Sequence, residues 1–369
     1  MRKASVKKVL YQEKILPVRA GQLQNVLGIP CTLFDLNPET ELTAVSVADA
    51  MNICPGCLFI PYYESEQEII EKVKQGAAAV MVEHQIPGVP CIVVQDLNEA
   101  VCCFCSLFTS VIRLPAVVVA GSEGKTTTKR MVKSVLQQEK QVFSQAGNYN
   151  TLQALCCSFQ EVCPGDEIIV QEVDEKRINN TVNCSRFLKP DIALVTNIAE
   201  AHLGFYGSKE ALTQSFLGIT AGMDENGVVI LNADDPDSLH AGFAARILTV
   251  GITNKNADCV ASNITERRNG MEFDLKYENE TVHVRLPMQG QHNVYNAMMA
   301  YLVGKLKGIG VQNILKGLSQ YRNADFARIL CDLAGRLSMP TAITPARNQW
   351  SSRSSVFPAF QREKGKKWP

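Results

Sequence analysis

Short apolar runs alternate along the chain with amphipathic stretches, a pattern that is typical of α/β proteins. Between residues 21 and 113 the apolar runs predict strands, and the stretches that separate them predict helices. The predicted strands are 58–61, 77–82 and 91–94, and the predicted helices are 66–75 and 96–109. This rhythm predicts a partly parallel sheet. Residues 1–20 lack the pattern, and we expect a polar, irregular lead-in there.

A second α/β segment begins at residue 114. Its first predicted strand, 116–120, is apolar throughout, as strands buried on both faces of a parallel sheet are. Further strands are predicted at 167–171, 192–196, 227–231 and 247–250, hairpins over 258–288, and helices at 125–139, 293–307 and 311–319. We therefore expect a small N-terminal α/β domain (21–113), a central domain whose mostly parallel sheet is flanked by helices (114–321), and a linker with an irregular tail (322–369).

Composition and charge narrow the range of partners. Lys and Arg together number 37, as do Asp and Glu, so no basic field favours nucleic acid. The longest apolar runs fall far short of the roughly 20 residues that span a bilayer. The N-terminus lacks the pattern of an export signal, so the 13 cysteines indicate a reducing cytoplasm. Cys54-Pro-Gly-Cys57 is interpreted as a turn that enters a strand rather than as a redox pair.

The strongest single motif is a glycine-rich turn between the apolar strand 116–120 and the helix that follows it. A turn in that position presents backbone N–H groups and a helix N-terminus to an anion. Val119 stands where the general P-loop pattern has its first glycine, so the motif is a shorter G-x-x-G-K-T. Lys125 would reach the phosphates and the Thr126 hydroxyl would hold Mg²⁺; the alternative is a helix cap without a ligand. The residues predicted to bind the nucleotide are Gly121, Ser122, Glu123, Gly124, Lys125, Thr126 and Thr127.

Five motifs, in order, resemble those of the Mur ligase family, which builds the peptide of the bacterial cell-wall precursor. They are 121–128 (GSEGKTTT), 147–150 (GNYN), 189–208 (KPDIALVTN followed by AHL and GS), 231–236 (LNADDP) and 290–296 (GQHNVYN). The pattern is most similar to that of the member that joins D-alanyl-D-alanine to UDP-N-acetylmuramoyl-tripeptide.

The resemblance implies an ATP-dependent amide ligase with a UDP-binding domain, a central ATPase domain and a C-terminal Rossmann-like domain. In such a ligase ATP converts a carboxylate into an acyl phosphate, which an amine then attacks. The implied cofactors are ATP and Mg²⁺, and the implied partners are a UDP-sugar peptide and a D-alanyl-D-alanine-like molecule. We expect a cytoplasmic monomer without nucleic-acid or membrane partners.

The resemblance also implies residue roles. The implied catalytic residues are Lys125, Glu172 and His202, and the implied metal ligands are Thr126, Glu172 and His202. Asn293 and Asn296 would contact adenine, Arg328 would also bind the nucleotide, and Asn148, Asn150 and Thr151 would contact substrate. Three ordinary alternatives stay open: a solvated strand-end glutamate at 172, a structural histidine at 202, and a helix cap at 293.

The sequence departs from the family at two places that bear on ligands. Phe216 stands where the family carries a lysine that is often carbamylated, and a phenyl ring cannot supply a metal ligand. Asp49-Ala-Met51 replaces the family's D-S-R before Pro55-Gly-Cys-Leu-Phe59. We therefore expect a changed second metal site and changed uridine contacts.

After Gly335 the chain loses the family pattern, whereas a C-terminal domain would need about a hundred more residues. The codons from Ser338 onward, read in a shifted frame, permit the family's next motif, D-x-Y-N-A-x-P-x-S-M. We hypothesise a frameshift between Gly335 and Ser338, which the DNA sequence across codons 325–369 tests; the alternative is a natural disordered tail. Nucleotide binding with impaired ligation is expected. The rival interpretations are another Mur ligase or a folylpolyglutamate synthase-like ligase, and a non-catalytic nucleotide-binding protein.

Overall fold

A computed structural model describes residues 16–47, 53–145, 150–174, 180–199 and 206–321. The N-terminal part contains a five-stranded sheet in the order β2-β7-β6-β5-β4. Strands β4 to β7 are parallel to one another and β2 is antiparallel to β7. The strands are β2 (Thr32–Phe34), β4 (Ala44–Val47), β5 (Cys57–Ile60), β6 (Ala79–Val82) and β7 (Cys91–Val93).

Among the described residues, three α-helices, one short 3-10 helix (Ala20–Gln22) and a two-stranded ribbon complete the N-terminal part. The ribbon pairs β1 (Val18–Arg19) with β3 (Glu41–Leu42). The helices are α1 (Leu23–Leu27), α2 (Glu66–Lys74) and α3 (Leu97–Val111). Helix α2 begins with a capping box in which the Ser65 hydroxyl accepts from the Glu68 N–H and the Glu68 carboxylate accepts from the Ser65 N–H. Such reciprocal bonds satisfy two donors that a helix start leaves unpaired.

The central part is a nine-stranded sheet in the order β16-β15-β14-β13-β12-β11-β8-β10-β9. Strands β8 to β14 are parallel, and β15 and β16 add an antiparallel meander. Its strands are β8 (Ala116–Ala120), β9 (Val142–Phe143), β10 (Ile168–Glu172), β11 (Ile192–Val195), β12 (Val228–Asn232), β13 (Arg246–Gly251), β14 (Cys259–Arg267), β15 (Gly270–Tyr277) and β16 (Glu280–Leu286).

Helices cover both faces of the central sheet. They are α4 (Lys125–Leu136), α5 (Leu152–Phe159), α6 (Asn180–Leu188), α7 (Lys209–Leu217), α8 (Pro236–Leu239), α9 (His292–Leu306) and α10 (Val311–Gln320). Along β8 the residues Ala116, Val118 and Ala120 join the core on the side of α3, α5 and α6, whereas Val117 and Val119 join the core under α4, α9 and α10. Burial on both faces explains why this strand is apolar at every position.

The first of these cores is continuous with the N-terminal sheet, since it also contains Val45 and Leu58. At the junction the Gln160 side chain serves the edge of β4: its Oε1 accepts from Val45 N (2.8 Å) and its Nε2 donates to Val45 O (2.7 Å). An edge strand exposes unpaired backbone groups, and this amide satisfies one such pair. The division of the chain into domains at residue 113 stays a prediction.

The observed elements match the predicted α/β class, and most predicted bounds hold within two residues. Two predictions were wrong. The expected irregular lead-in includes buried Leu16 and Ala20 and strand β1, and helix α4 ends at Leu136 rather than at residue 139. Cys54 and Cys57 flank a turn into β5, as predicted, and burial raises the pKa of the Cys57 thiol to about 11. Within the described part of the chain, no helix is both long enough and apolar enough to cross a bilayer.

Asp234 fastens the carboxyl end of β12 to its neighbours. Its Oδ1 accepts from the Thr253 hydroxyl and from Asn254 N (both 2.6 Å). Its Oδ2 accepts from Ile252 N (2.6 Å), Thr253 N (3.0 Å) and the Tyr295 hydroxyl on α9 (2.7 Å). Burial acts to raise the pKa of this carboxyl, but the hydrogen bonds outweigh burial and hold it well below its usual range.

We expect Asp234→Asn to lower the free energy of unfolding by about 2 kcal/mol at pH 6, since it weakens hydrogen bonds to a charged acceptor. The folded-state pKa of Asp234 is depressed, so its contribution is complete above the unfolded pKa of about 3.9 and is lost as the pH falls below it. Urea unfolding of both proteins between pH 3 and 7 measures this. The matched control is exposed Glu225→Gln, whose difference from the parent should stay near zero. A pH-independent deficit in Asp234→Asn would contradict the linkage.

Candidate nucleotide and metal site

The glycine-rich turn lies between β8 and α4, at the carboxyl edge of the parallel strands, where open α/β sheets bind ligands. Both glycines of the turn have backbone angles that other residues rarely adopt: φ is +133° at Gly121 and +78° at Gly124. Gly124 immediately precedes α4. A Cβ on Gly121 would lie 1.9 Å from Thr196 Oγ1, and one on Gly124 would lie 3.2 Å from Asn296 Oδ1. The turn is therefore closely enclosed by the protein behind it.

The exit of the neighbouring strand β11 holds the turn in shape. Asn197 O accepts from Ser122 N, and Asn197 Oδ1 accepts from Glu123 N (both 2.9 Å). The Thr196 hydroxyl donates to Glu123 O (2.5 Å), and Ala199 N donates to the Ser122 hydroxyl (2.9 Å). These bonds pre-form the loop. Sequence reasoning gave no role to Thr196 or Asn197, although both belong to the KPDIALVTN motif.

Lys125 begins α4 and is half-buried. Its Nζ donates to Gly121 O (2.6 Å) and lies 3.4 Å from Ser122 O. The ammonium group thus curls over the same turn that is predicted to bind phosphate. Thr126 and Thr127, in the first turn of α4, are also half-buried. The ATP-binding roles of these loop residues stay predictions, and the geometry fits them.

Glu172 is the last residue of β10 and is fully buried, so it is not an ordinary solvated strand-end glutamate. It pairs in register with Val119 of β8, two residues before the turn. Its Oε1 accepts from Asn150 Nδ2 (3.3 Å), and its Oε2 lies 3.3 Å from Lys129 Nζ. Oε2 has no hydrogen bond in proper geometry to any residue that the structure describes.

Lys129, on α4, is the partner that sequence reasoning missed. Its side chain is only 2% exposed, and its Nζ also donates to Gln145 O (3.2 Å). Burial lowers the pKa of this ammonium, and the Glu172 carboxylate opposes that shift. The pair places one positive and one negative charge together in the interior beside the phosphate loop. The sequence signal that could have indicated a buried charge here is a lysine on the apolar face of a predicted helix.

The amide side chains at the start of α9 lie behind the loop. Asn296 Oδ1 accepts from the Thr128 hydroxyl (3.0 Å), and Asn296 Nδ2 donates to Asn293 Oδ1 (3.3 Å). Asn293 Nδ2 donates to Gln289 O (2.7 Å), and the helix N-cap is Gln291. Asn293 is therefore no cap, which removes that alternative. Adenine binding by these two residues stays a prediction.

The remaining candidates divide into those that the structure places and those that it does not describe. Thr151 caps α5, where its hydroxyl accepts from Ala154 N (3.3 Å). Phe216 is fully buried in the core shared with the N-terminal sheet. Its ring thus fills the interior. The candidates outside the described residues are Asn148, His202 and Arg328, together with Asp49-Ala-Met51 and the tail after residue 321.

Comparison with known proteins supports the resemblance. The model of the Mur ligase middle domain matches residues 119–304, just over half of the chain. The chain therefore belongs to the Mur ligase family.

Individual relatives agree with this family. The UDP-N-acetylmuramoyl-tripeptide–D-alanyl-D-alanine ligase of Bacillus subtilis is 30% identical over 77% of this chain and 63% of its own length. The Escherichia coli ligase of the same name is 27% identical over 84% of this chain and 69% of its own. Among solved structures, MurF from Acinetobacter baumannii superposes with a TM-score of 0.73 at 25% identity, covering 84% of this chain and 69% of that one. The chain thus spans less than two thirds of the Bacillus subtilis relative.

Proposed function

We propose that this protein is an ATP-dependent amide ligase of peptidoglycan precursor synthesis that works in the cytoplasm. The observation that carries the proposal is the pre-formed phosphate turn with Lys125 across it and the buried Glu172 at the end of the adjacent strand. A nucleoside triphosphate is the ligand that this combination fits. The central domain is accordingly assigned the ATPase role, and the N-terminal sheet is assigned the UDP-substrate role.

The substrates proposed are UDP-N-acetylmuramoyl-tripeptide and D-alanyl-D-alanine, which the names of the two relatives give. In the first step a carboxylate oxygen of the tripeptide bonds to the γ-phosphorus of ATP, and the bond from that phosphorus to the β–γ bridging oxygen breaks. ADP and an acyl phosphate result. The dipeptide amine then attacks the acyl carbon, the carbon–oxygen bond to phosphate breaks, and an amide, inorganic phosphate and a proton are released.

In this reaction the protein would position the reactants and stabilise the charge that develops on the phosphates. The backbone N–H groups of the turn and the start of α4 would hold the phosphates. The Lys125 ammonium, now on Gly121 O, would turn to the phosphate oxygens. Asn150, which touches Glu172, and Thr151 would lie on the substrate side.

The donor set at the loop also fits Mg²⁺. The Thr126 hydroxyl and the buried Glu172 carboxylate are the hard oxygen ligands that this ion takes. Glu172 Oε2 has no hydrogen bond to a described residue, so it is available to an additional partner. Mg²⁺, when bound, would neutralise charge on the phosphates. His202 is the third proposed ligand.

Three measurements on the purified chain test the proposal. Calorimetry with ADP and Mg²⁺ should show binding. Because ligation by this chain is expected to be impaired, phosphate release from ATP should be slow, and it should require both the UDP-sugar tripeptide and D-alanyl-D-alanine. Mass spectrometry should find the joined product. Binding without ligation would favour the second candidate, a nucleotide-binding protein that has lost the reaction. The presence of Phe216 in place of the family lysine supports this candidate. Absence of ADP binding would refute both.

Replacing Lys125 should weaken nucleotide binding directly. We expect Lys125→Met to raise the Kd for ADP about 10- to 100-fold, because a charge-assisted hydrogen bond to phosphate contributes about 1.5–3 kcal/mol. The matched control is Lys276→Met, an exposed lysine on β15, which should bind ADP as the parent does. Equal affinities of Lys125→Met and the parent would remove Lys125 from the phosphate site.

A further inference from the structure

A second concave surface lies at the opposite edge of the central sheet from the phosphate turn. It is a groove of about 1020 Å³ between α3 and α6. Pro115, which precedes β8, Ile169 near the start of β10, and Lys189 before β11 all line it. The groove therefore adjoins the amino ends of strands whose carboxyl ends carry the nucleotide site. A five-residue strand separates the two edges by about 16 Å.

Three cations line this groove: Arg113, Arg186 and Lys189. All three are exposed, and none forms an ion pair with another residue in the described part of the chain. No aspartate or glutamate is among the described residues that line the groove. Positive charges of one sign on a concave wall reinforce one another and concentrate anions there.

Two of the three cations, Arg186 and Lys189, are carried by well-defined backbone. Arg186 lies in the last turn of α6. Lys189 follows the helix; its backbone N–H donates to Ser185 O (2.8 Å), and its φ is +44°. Pro190 follows and is buried. The floor is apolar, with the rings of Phe159 and Phe187 in contact at 5.8 Å between centroids. Side chains mounted on such a frame can bind a ligand at a small ordering cost.

The side of the groove formed by α3, the α3 wall, carries hydroxyl groups that indicate which further groups a ligand would have. The hydroxyls of Ser106, Thr109 and Ser110 donate to backbone carbonyls of their own helix, Cys102 O, Ser106 O and Leu107 O, at 2.9, 3.1 and 2.7 Å. Because each hydroxyl has one proton, these oxygens have only acceptor capacity left for a ligand. They suit hydroxyl donors, whereas the cations suit phosphate or carboxylate groups.

We propose that this groove binds a small, hydroxyl-bearing organic polyanion, such as a phosphorylated sugar, at a site separate from the phosphate turn. The volume is that of a small-molecule site. The anionic groups contact Arg113, Arg186 and Lys189, and the ligand's hydroxyls donate to the α3 wall. The proposal is independent of the ligase reaction, because none of these residues belongs to the nucleotide site.

Calorimetry on the full chain without Mg²⁺, at low salt, tests this with two probes, fructose 1,6-bisphosphate and inorganic phosphate. We expect the bisphosphate to bind more than tenfold more tightly than phosphate. Arg113→Ala and Arg186→Ala should each weaken it at least fivefold, and added salt should weaken it further. Lys276→Ala, an exposed cation elsewhere, and Lys125→Met, in the phosphate turn, should both leave it unchanged.

Three results would overturn the proposal. Parental affinity in both arginine variants would show that the groove does not hold the probe. Loss of binding in Lys125→Met would place the probe in the phosphate turn. Equal affinities for the bisphosphate and inorganic phosphate would mean that the hydroxyl-accepting wall plays no part. Thermal unfolding of each variant, expected to match the parent because both arginines are exposed, confirms that the fold is intact.

Discussion

Gly121→Ala should lower the free energy of unfolding by about 3–5 kcal/mol and abolish measurable ADP binding. Two costs add. The backbone at φ +133° is close to glycine-only, which costs about 1–3 kcal/mol for other residues. The new methyl group would lie 1.9 Å from Thr196 Oγ1 and 2.9 Å from Thr196 N, an overpacking of similar cost. Denaturant unfolding and calorimetry measure the two effects.

Two further variants separate these costs. Gly88 has φ +73° and open space around its missing Cβ, so Gly88→Ala should cost only about 1 kcal/mol. Thr196→Ala in the Gly121→Ala background removes the nearest clashing atom and should recover part of the stability, while the backbone cost remains. If Gly88→Ala were as damaging as Gly121→Ala, the enclosure of the turn by β11 would not be the cause.

The sequence allowed the central sheet to be predicted almost element by element, and physical reasons explain why. Strands such as β8 are buried on both faces and leave continuous apolar runs that no loop imitates. The short strands β1 to β4 were not placed, since two to four residues carry too little pattern. Their pairing is non-local. Val18 pairs with Leu42, and the backbone N–H of Val45 donates to the side chain of Gln160, 115 residues away. Contacts of this kind leave no local trace.

The candidate site divides in the same way. The place of the glycine-rich turn between a strand and a helix could be predicted because its motif occupies consecutive residues, 121–128. Phosphate binding by this turn stays a prediction. Lys129 could not be given its role, because that role depends on Glu172, which folding brings beside α4 from another strand. Likewise, Asn293 could have been a helix cap, but the structure places the N-cap two residues earlier, at Gln291. Side-chain partners, unlike motifs, are decided by tertiary contacts.

Lys129→Met should destabilise the protein by about 3–5 kcal/mol, because it leaves the Glu172 carboxylate buried without its counter-charge. The two charges are 2% and 1% exposed, so water cannot replace the missing partner. The loss of the bond to Gln145 O adds to the cost. Urea unfolding at pH 7 measures the effect, and Lys276→Met, on the exposed face of β15, is the matched control with no expected change.

The double variant Lys129→Met/Glu172→Leu tests whether the two buried charges interact. Replacing both members of a buried ion pair with apolar residues is often neutral or stabilising, whereas removing one member is costly. The double variant should therefore unfold at a higher urea concentration than Lys129→Met, with a coupling energy of about 2–3 kcal/mol. Strict additivity of the two single changes would show that the charges do not interact.

Mg²⁺-dependent ADP binding should be weakened in the double variant despite its recovered stability, because Glu172 is the proposed metal ligand. Stability and nucleotide binding would then separate at a single carboxylate, which is the behaviour of a residue kept for its chemistry rather than for the fold.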